Sequence, residues 1–194
     1  MRSANSYDEE MADDFRIVVL CMGNICRSPM AEGMLRALLA ERGVPAVVDS
    51  AGRLESGRPA ARHGVDVLAE RGIDIGGHRS RSSSASILEP AGLVLAMARE
   101  HVRDAVSVLP AVWPRAFTLK ELVRRGELVG PRHPDQPLDA WLEARHEGRD
   151  RRDLLGESPL DDIADPYGQS RSAFEDLADE LDGLITRLVD LLWP

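Results

Sequence analysis

A cysteine and an arginine six positions apart are the residues of this chain best suited to chemistry. They stand in the run Cys21-Met22-Gly23-Asn24-Ile25-Cys26-Arg27-Ser28-Pro29. The apolar residues 15–20 before it predict a buried strand, and the pattern from Pro29 onwards predicts a helix. A tight loop between a strand and a helix N-terminus turns consecutive backbone N–H groups into one concavity, which suits a phosphoryl group.

The side chains of this loop favour nucleophilic attack on phosphorus. Arg27 offers a planar guanidinium that grips two phosphate oxygens at once. The same positive field stabilises a thiolate, which is the attacking form of a cysteine such as Cys21. Ser28 can donate its hydroxyl to that sulfur, cap the helix, or both. Gly23 permits an unusual backbone angle. Asn24 tolerates the left-handed region and can tie the loop to itself through side-chain hydrogen bonds. The predicted phosphate-binding residues are Met22, Gly23, Asn24, Ile25, Cys26, Arg27 and Ser28.

A second motif, Asp165-Pro166-Tyr167, lies near the C-terminus. Hydrolysis through a phosphorylated cysteine needs an acid to protonate the departing oxygen and later a base to activate water, and one carboxyl group can do both. Pro166 biases Asp165 towards an extended backbone in a stiffened loop. Tyr167 can form one wall of an aromatic slot. By itself the motif is a plain Asp-Pro turn, but beside a phosphate loop it predicts the acid and base of the reaction.

The two motifs together resemble the low-molecular-weight protein tyrosine phosphatase family. Intermediate landmarks follow in the family's order over roughly residues 15–194, namely Ser50-Ala51-Gly52, Gly72-Ile73-Asp74, His78-Arg79 and Leu95-Ala96-Met97. The resemblance implies that Cys21 is the nucleophile, Arg27 the phosphate clamp and Asp165 the general acid and base.

The resemblance also implies supporting residues. Those that would hold the loop in its strained shape or assist the leaving thiolate are Asn24, Ser28, Ser50 and His78. Cys26 matches the second loop cysteine, which in the family forms a reversible disulfide with the nucleophile.

Two departures from the family's sequence pattern bear on the choice of substrate. Residues 53–57 contain no aromatic side chain to line a slot for a phosphotyrosyl ring, and Ala98 stands where members often carry an acidic residue.

The predicted activity is hydrolysis of phosphotyrosine in a protein, or of a small aryl phosphate, with inorganic phosphate as product and with neither metal nor cofactor. Two alternatives stay open. One is an arsenate reductase on the same fold that uses a small-molecule thiol, since residues 80–86 lack the further cysteines of a thioredoxin-linked reductase. The other is a non-catalytic phosphate-binding module, against which the presence of Asp165 argues because a binder needs no leaving-group acid.

The composition indicates a cytoplasmic protein. No stretch approaches the ~20 apolar residues of a membrane span, and both cysteines lie in one loop, which fits a reducing compartment. The net charge of −9 argues against nucleic acid or an anionic membrane as a partner. Residues 1–14 are acidic, lack the apolar core of a signal peptide and are predicted to be a disordered leader.

Apolar strands that alternate with helical patterns predict an α/β three-layer sandwich, in which a central four-stranded parallel sheet is flanked by helices on both faces. The phosphate-binding loop would follow the first strand. Residues 15–194 are expected to form a single domain with an inserted segment around 119–160, which either adds a helix that shapes access to the site or makes a solvated excursion. Ser172 and Glu175 predict a capping box at the start of the last helix.

Overall fold

A computed structural model describes residues 15–194, so the leader predicted for residues 1–14 lies outside the described part. The strands are β1 Phe15–Cys21, β2 Ala46–Gly52, β3 Leu93–Ala96 and β4 Ala116–Thr118. The α-helices are α1 Arg27–Glu41, α2 Arg62–Glu70, α3 Ala85–Leu88, α4 Arg99–Val108, α5 Leu119–Val129, α6 Leu138–His146 and α7 Arg171–Leu192. Two 3-10 helices span Pro110–Arg115 and Arg151–Leu154.

The four strands form one parallel sheet in the order β2-β1-β3-β4. β1 is therefore a central strand with a parallel neighbour on each side. Its last residue, Cys21, is paired with Gly52 at the end of β2, and Leu20 is paired with Ala96 at the end of β3. The carboxyl ends of these strands thus meet at one edge of the sheet, which is where ligands bind in open α/β folds.

The side chains of β1 alternate between two separate cores. Ile17, Val19 and Cys21 belong to a core that also contains apolar residues of α1, α2, α5, α6 and α7. Val18 and Leu20 belong to a second core, built with residues of α3, α4 and the first 3-10 helix. Burial on both faces explains why residues 17–21 of this strand are apolar without interruption. The predicted three-layer sandwich around a four-stranded parallel sheet is confirmed.

The segment that carries Asp165 is anchored beside the end of β3. The Ile163 amide donates a hydrogen bond to the Met97 carbonyl oxygen at 2.8 Å. One carboxylate oxygen of Asp162 accepts a 2.7 Å bond from the Arg99 amide in the first turn of α4. These two contacts bring a residue more than one hundred positions from Cys21 in sequence to the same edge of the sheet.

Residues 119–160 fold into helices rather than one long loop. Trp141 of α6 is fully buried, and α6 packs against α5 and the first 3-10 helix. The segment after α6 reaches the start of β4, where Arg149 donates a 2.8 Å hydrogen bond to the Ala116 carbonyl oxygen. Since the start of a parallel strand is opposite the edge that carries Cys21, α6 lies away from that edge. That these residues are an insertion into a single domain remains a prediction.

The capping box expected at the start of the last helix is wrong. α7 begins at Arg171 with Ser170 as its N-cap residue, so Ser172 is already the second helical residue and cannot cap. Glu175 instead accepts a 2.8 Å hydrogen bond from Arg171 four residues earlier, an ordinary pair along one helix face.

The buried side chain of Arg149 connects the 138–155 region to β4 and α5. Its side chain is 2% exposed, and both oxygens of the Glu121 carboxylate accept hydrogen bonds from it at 2.7 and 2.9 Å. The guanidinium also lies 4.0 Å from the ring centroids of Trp113 and Phe117. A desolvated, bidentate ion pair of this kind stabilises only while both partners are present.

Replacing Arg149 with methionine should therefore lower the free energy of unfolding by about 3 kcal/mol, because the buried Glu121 carboxylate loses its bidentate partner and keeps only the longer 3.2 Å contact with Arg125. Urea denaturation measures the change. The matched control is Arg152→Met, since that side chain is 84% exposed, and it should change stability by less than about 0.5 kcal/mol. Equal unfolding midpoints for Arg149→Met and wild type would contradict this account of the region.

Candidate active site

The loop between β1 and α1 surrounds the Cys21 sulfur with hydrogen-bond donors. The Asn24 amide donates to Cys21 Sγ at 3.2 Å, and Ser28 Oγ lies 3.0 Å from the same sulfur. Ser28 Oγ accepts a hydrogen bond from the Asn24 side-chain amide at 2.9 Å, which leaves its own hydrogen free for the sulfur. Of the two uses that the sequence allows for Ser28, the structure supports assistance to Cys21, because the N-cap residue of α1 is Cys26.

Asn24 holds the loop in its shape. It adopts a φ of 51°, in the left-handed region that asparagine tolerates better than most residues. Gly23, which also permits such an angle, has no positive φ. The partners of Asn24 outside the nucleophile are Ser28 Oγ at 2.9 Å, Ser50 Oγ at 2.7 Å, the Arg81 amide at 2.8 Å and His78 Nε2 at 2.7 Å. The four predicted loop-supporting residues are therefore in one hydrogen-bonded network.

The glycine of Ser50-Ala51-Gly52 is required by a close approach of two backbones. A Cβ atom at Gly52 would lie 2.8 Å from both the Asn24 nitrogen and the Met22 carbonyl oxygen. Any other residue would push the end of β2 away from the phosphate loop. This glycine thus allows the loop to pack directly on the neighbouring strand.

Sequence reasoning missed two residues that complete the network. Ser50 Oγ donates to a carboxylate oxygen of Glu32, which is 8% exposed on α1. The Arg81 guanidinium donates to the Ser50 carbonyl oxygen, with Nη2 at 3.0 Å. An acidic residue among the buried apolar residues of α1 was the available signal for Glu32. Nothing local distinguishes Arg81 from its neighbours in the serine-rich run that contains it.

Arg27 joins the phosphate loop to the segment of the predicted acid. Its side chain is 6% exposed, and its guanidinium donates to Asp165 Oδ2 at 2.5 Å and to the Ile163 carbonyl oxygen at 3.0 Å. Its Nε is buried and has no hydrogen-bond partner within the described residues. The other Asp165 oxygen accepts a 3.1 Å bond from the Tyr167 amide. The sequence-predicted nucleophile, clamp and acid are brought to one place.

These residues line a cleft of ≈ 220 Å³ that opens above the loop. Apolar side chains of Ile25, Leu54 and Tyr167 form part of its walls. Leu54 stands in the stretch that lacks an aromatic residue, and Tyr167 is 61% exposed at the mouth. The cleft is lined by Cys21, Met22, Gly23, Ile25, Cys26, Leu54, Arg58, Asp165 and Tyr167.

The second cysteine of the loop faces the same cleft but in a different electrostatic setting. Cys26 is 3% exposed and, like Cys21, is a free thiol. Burial raises the pKa of Cys26 to about 12, and the nearby Asp165 carboxylate adds to the effect. Cys26 is therefore a neutral thiol at physiological pH.

His101 lies buried behind the loop, in the first turn of α4. It is 2% exposed, and neither ring nitrogen has a hydrogen-bond partner within the described residues. Burial, with the positive charges of Arg27 and Arg103, lowers the pKa of His101 to about 3. The imidazole is thus neutral at physiological pH and adds no charge beside Arg27.

Among residues 15–194, no group of three or more His, Cys, Asp or Glu side chains is arranged to hold a metal ion. None of the helices within that range is both long and apolar enough to cross a membrane.

Comparison with known proteins decides the family. The model of the low molecular weight phosphotyrosine protein phosphatase family matches residues 16–134, more than half of the chain. The chain belongs to this family. A probable low molecular weight protein-tyrosine-phosphatase, EpsP of Ralstonia solanacearum, is 33% identical over 178 residues, which cover 92% of this chain and 93% of that protein. The crystal structure of a low molecular weight protein tyrosine phosphatase from T. tengcongensis has a TM-score of 0.70 at 35% identity and covers 92% of this chain and 99% of its own.

A relative with another name is equally similar. A protein-arginine-phosphatase of Geobacillus stearothermophilus is 33% identical over 180 residues, which cover 92% of this phosphatase-family chain and 96% of that protein. Members of this family are therefore named for more than one substrate, and the choice between these substrates depends on the cleft.

The neutral, buried state of His101 predicts an acid-dependent loss of stability. The unfolded chain binds a proton at this ring below about pH 6.5, whereas the folded chain does so only near pH 3. The free energy of unfolding should therefore fall as the pH drops between these values, with a slope approaching about 1.4 kcal/mol per pH unit from this group. Urea denaturation at pH 7, 6, 5 and 4 should show a shallower decline for His101→Gln than for wild type.

The matched control is His133→Gln, because the His133 side chain is 73% exposed. It should follow the wild-type profile. Parallel profiles for wild type and His101→Gln would show that His101 titrates alike in the folded and unfolded chains, contrary to this account.

Proposed function

We propose that this protein hydrolyses phosphotyrosine-type aryl phosphate monoesters through a phosphocysteine intermediate. One observation carries the proposal: the Cys21 sulfur, with the Asn24 amide and the Ser28 hydroxyl as donors, shares a cleft with the Asp165 carboxyl group. A binding module would need the loop but not a carboxyl group facing the nucleophile. Family membership supports the same chemistry.

The first half of the reaction transfers the phosphoryl group to sulfur. The substrate phosphate docks on the amides of the loop and on Arg27, which turns its guanidinium from Asp165 to the phosphate oxygens. The Cys21 thiolate attacks phosphorus in line, so that the S–P bond forms while the P–O bond to the ring breaks. Asp165, in its protonated form, gives its proton to the departing phenolic oxygen.

The second half releases phosphate. The Asp165 carboxylate takes a proton from a water molecule, whose oxygen attacks phosphorus while the S–P bond breaks. Cys21 leaves as a thiolate, and the hydrogen bonds from Asn24 and Ser28 stabilise it at that moment. Inorganic phosphate is the product, and the enzyme returns to its starting protonation state.

The cleft favours an aromatic leaving group over a guanidinium one. Ile25, Leu54 and Tyr167 offer apolar surface for a ring, which partly replaces the missing aromatic side chain in residues 53–57. The cleft also contains the cation Arg58, which repels a guanidinium group. Its single carboxyl group, Asp165, acts in its protonated form during the first step, so that it offers no negative charge to a guanidinium leaving group. These charges favour a phosphotyrosine-containing protein or a small aryl phosphate over phosphoarginine.

The setting that fits this activity is the cytoplasm. Free thiols at Cys21 and Cys26 are compatible with a reducing compartment, and the reaction needs no partner beyond the phosphorylated substrate. The segment 119–160 contributes no residue to the cleft lining. We therefore infer that it anchors the loop that carries Asp165 and does not cover the cleft.

Steady-state kinetics test the assignment of nucleophile and acid. Cys21→Ser should abolish hydrolysis of p-nitrophenyl phosphate while inorganic phosphate still binds. Asp165→Asn should lower kcat by about 10²–10⁴-fold for phenyl phosphate, since removing a general acid costs rates of that order. The loss should be much smaller for 2,4-dinitrophenyl phosphate, whose leaving group needs no proton.

Substrate identity is read from the same assays. The wild type should release phosphate faster from a phosphotyrosine peptide than from a phosphoarginine peptide of the same length. The control for Asp165→Asn is Asp135→Asn, because the Asp135 side chain is 93% exposed; this variant should keep the wild-type rate. Turnover by Cys21→Ser, or an equal loss in Asp165→Asn for every leaving group, would contradict the assigned roles. Arsenate reduction without ester hydrolysis would support the reductase instead.

We also propose that Cys26 protects the nucleophile from oxidation. Peroxide converts the Cys21 thiolate to a sulfenic acid, and the neutral Cys26 thiol condenses with it to give a Cys21–Cys26 disulfide and water. The raised pKa of Cys26 supports these two roles, because a neutral thiol reacts slowly with peroxide and Cys21 is then oxidised first. A thiol reductant then restores both cysteines.

Mild peroxide followed by dithiothreitol measures this protection. The wild type should regain most of its activity, whereas Cys26→Ser should lose it irreversibly as Cys21 proceeds to sulfinic acid. Intact-mass spectrometry identifies the disulfide by a loss of two hydrogens. Equal recovery in wild type and Cys26→Ser would overturn the proposal.

A further inference from the structure

One cation at the mouth of the cleft has no counterion among residues 15–194. Arg58 lines the cleft together with Cys21 and Tyr167, is exposed, and has no side-chain hydrogen bond or ion pair with any described residue. Its neighbours in sequence differ in this respect. Arg53 lies 3.6 Å from the Asp104 carboxylate, and Arg62 lies 3.7 Å from the Asp66 carboxylate. In a chain with a net charge of −9, an unpaired arginine beside the nucleophile is available to a ligand.

The backbone holds Arg58 at this position. The Arg58 amide donates to Ser80 Oγ at 3.0 Å, and the Arg58 carbonyl oxygen accepts from the Ser80 amide at 2.8 Å. The Gly57 amide donates to the Ser80 carbonyl oxygen at 2.8 Å, and Pro59 forms an antiparallel bridge with Arg79. The backbone of Arg58 is thus held beside the cleft by hydrogen bonds, whereas its side chain has none with any described residue.

The opposite side of the mouth carries negative charge. A second cavity of ≈ 620 Å³ adjoins the cleft and shares Met22 and Asp165 with it. Its one lysine, Lys120, is paired with Glu180 at 2.6 Å. Glu157 and Glu100 also line this cavity, and no arginine or lysine of the described chain pairs with either. An anionic group near the reacting phosphate would be repelled there and attracted to Arg58.

We propose that Arg58 is a specificity-determining residue that binds an aspartate or glutamate side chain close to the phosphorylated residue of a polypeptide substrate. The inference rests on the proposed phosphatase function and names the substrate class for it. Arginine suits this role because its planar fork binds a carboxylate through two parallel hydrogen bonds. The pair forms at an exposed rim, so the preference is moderate, of the order of 2–5-fold in kcat/KM.

Phosphotyrosine peptides that differ in one flanking residue test the assignment. Each peptide carries glutamate, glutamine or lysine one or two positions from the phosphotyrosine, on either side. For the wild type, the ratio of kcat/KM between glutamate and glutamine peptides should be about 2–5 at one of these positions and should shrink in 0.5 M NaCl, where exposed charges are screened. Arg58→Gln should bring the ratio of kcat/KM between glutamate and glutamine peptides to one. Arg58→Glu should hydrolyse the lysine peptide with a higher kcat/KM than the glutamate peptide.

Arg62→Gln is the matched control, since this side chain is 92% exposed on the same segment and does not line the cleft. It should keep the wild-type ratio. Identical ratios in wild type and Arg58→Glu would overturn the role of Arg58 while leaving the phosphatase function intact. Failure of the wild type to hydrolyse any of the peptides would overturn the proposed function itself.

Discussion

The active site depends on one asparagine held in a left-handed conformation. Asn24 places its amide on the Cys21 sulfur, while its side chain reaches Ser28 and Ser50. A non-glycine residue with positive φ costs free energy, of the order of 1 kcal/mol or more. Several buried hydrogen bonds, each worth about 1 kcal/mol, offset that cost. The loop is therefore stable only as a unit, and its polar groups are oriented before any substrate arrives, as electrostatic stabilisation of a transition state requires.

The second constraint is the ion pair that connects the two ends of the chain. Arg27 stands at the start of α1, and Asp165 stands before the last helix, yet their side chains meet at 2.5 Å. The pairing holds Asp165 beside the loop that carries Cys21, and the two side chains neutralise each other's charge. In the reaction that we propose, phosphate replaces Asp165 as the partner of Arg27, which frees the Asp165 carboxyl group for proton transfer.

The sequence predicts those parts of the site that have a local cause. The apolar run of β1, the tight loop and the start of α1 are adjacent in the chain, so the setting of Cys21 and Arg27 could be recognised from local sequence. Asp165 could be predicted as the acid only because its Asp-Pro-Tyr motif accompanies that loop. The parallel sheet follows from strands that are apolar on both faces, and it was predicted with the correct number of strands.

What the sequence missed depends on contacts between distant segments. Glu32 supports the loop from α1, and Arg81 supports it from the segment before α3. The sequence around these residues does not indicate that Ser50 is the hydrogen-bond partner of both. The sequence allowed an unusual backbone angle at both Gly23 and Asn24, and the hydrogen bonds available to Asn24 place the positive φ there. The position of α6 at the far edge of the sheet depends on the packing of Trp141, which has no signature in sequence.

The central claim is that phosphate passes through a covalent bond to Cys21. Rapid quenching of the wild type with an aryl phosphate, followed by peptide mass spectrometry, tests this most directly. The account predicts a burst of phenol release approaching one equivalent when breakdown is the slower step, and a phosphoryl group on the peptide that contains Cys21. Steady turnover with no phosphorylated enzyme at any quench time, or a phosphoryl group on another residue, would contradict it.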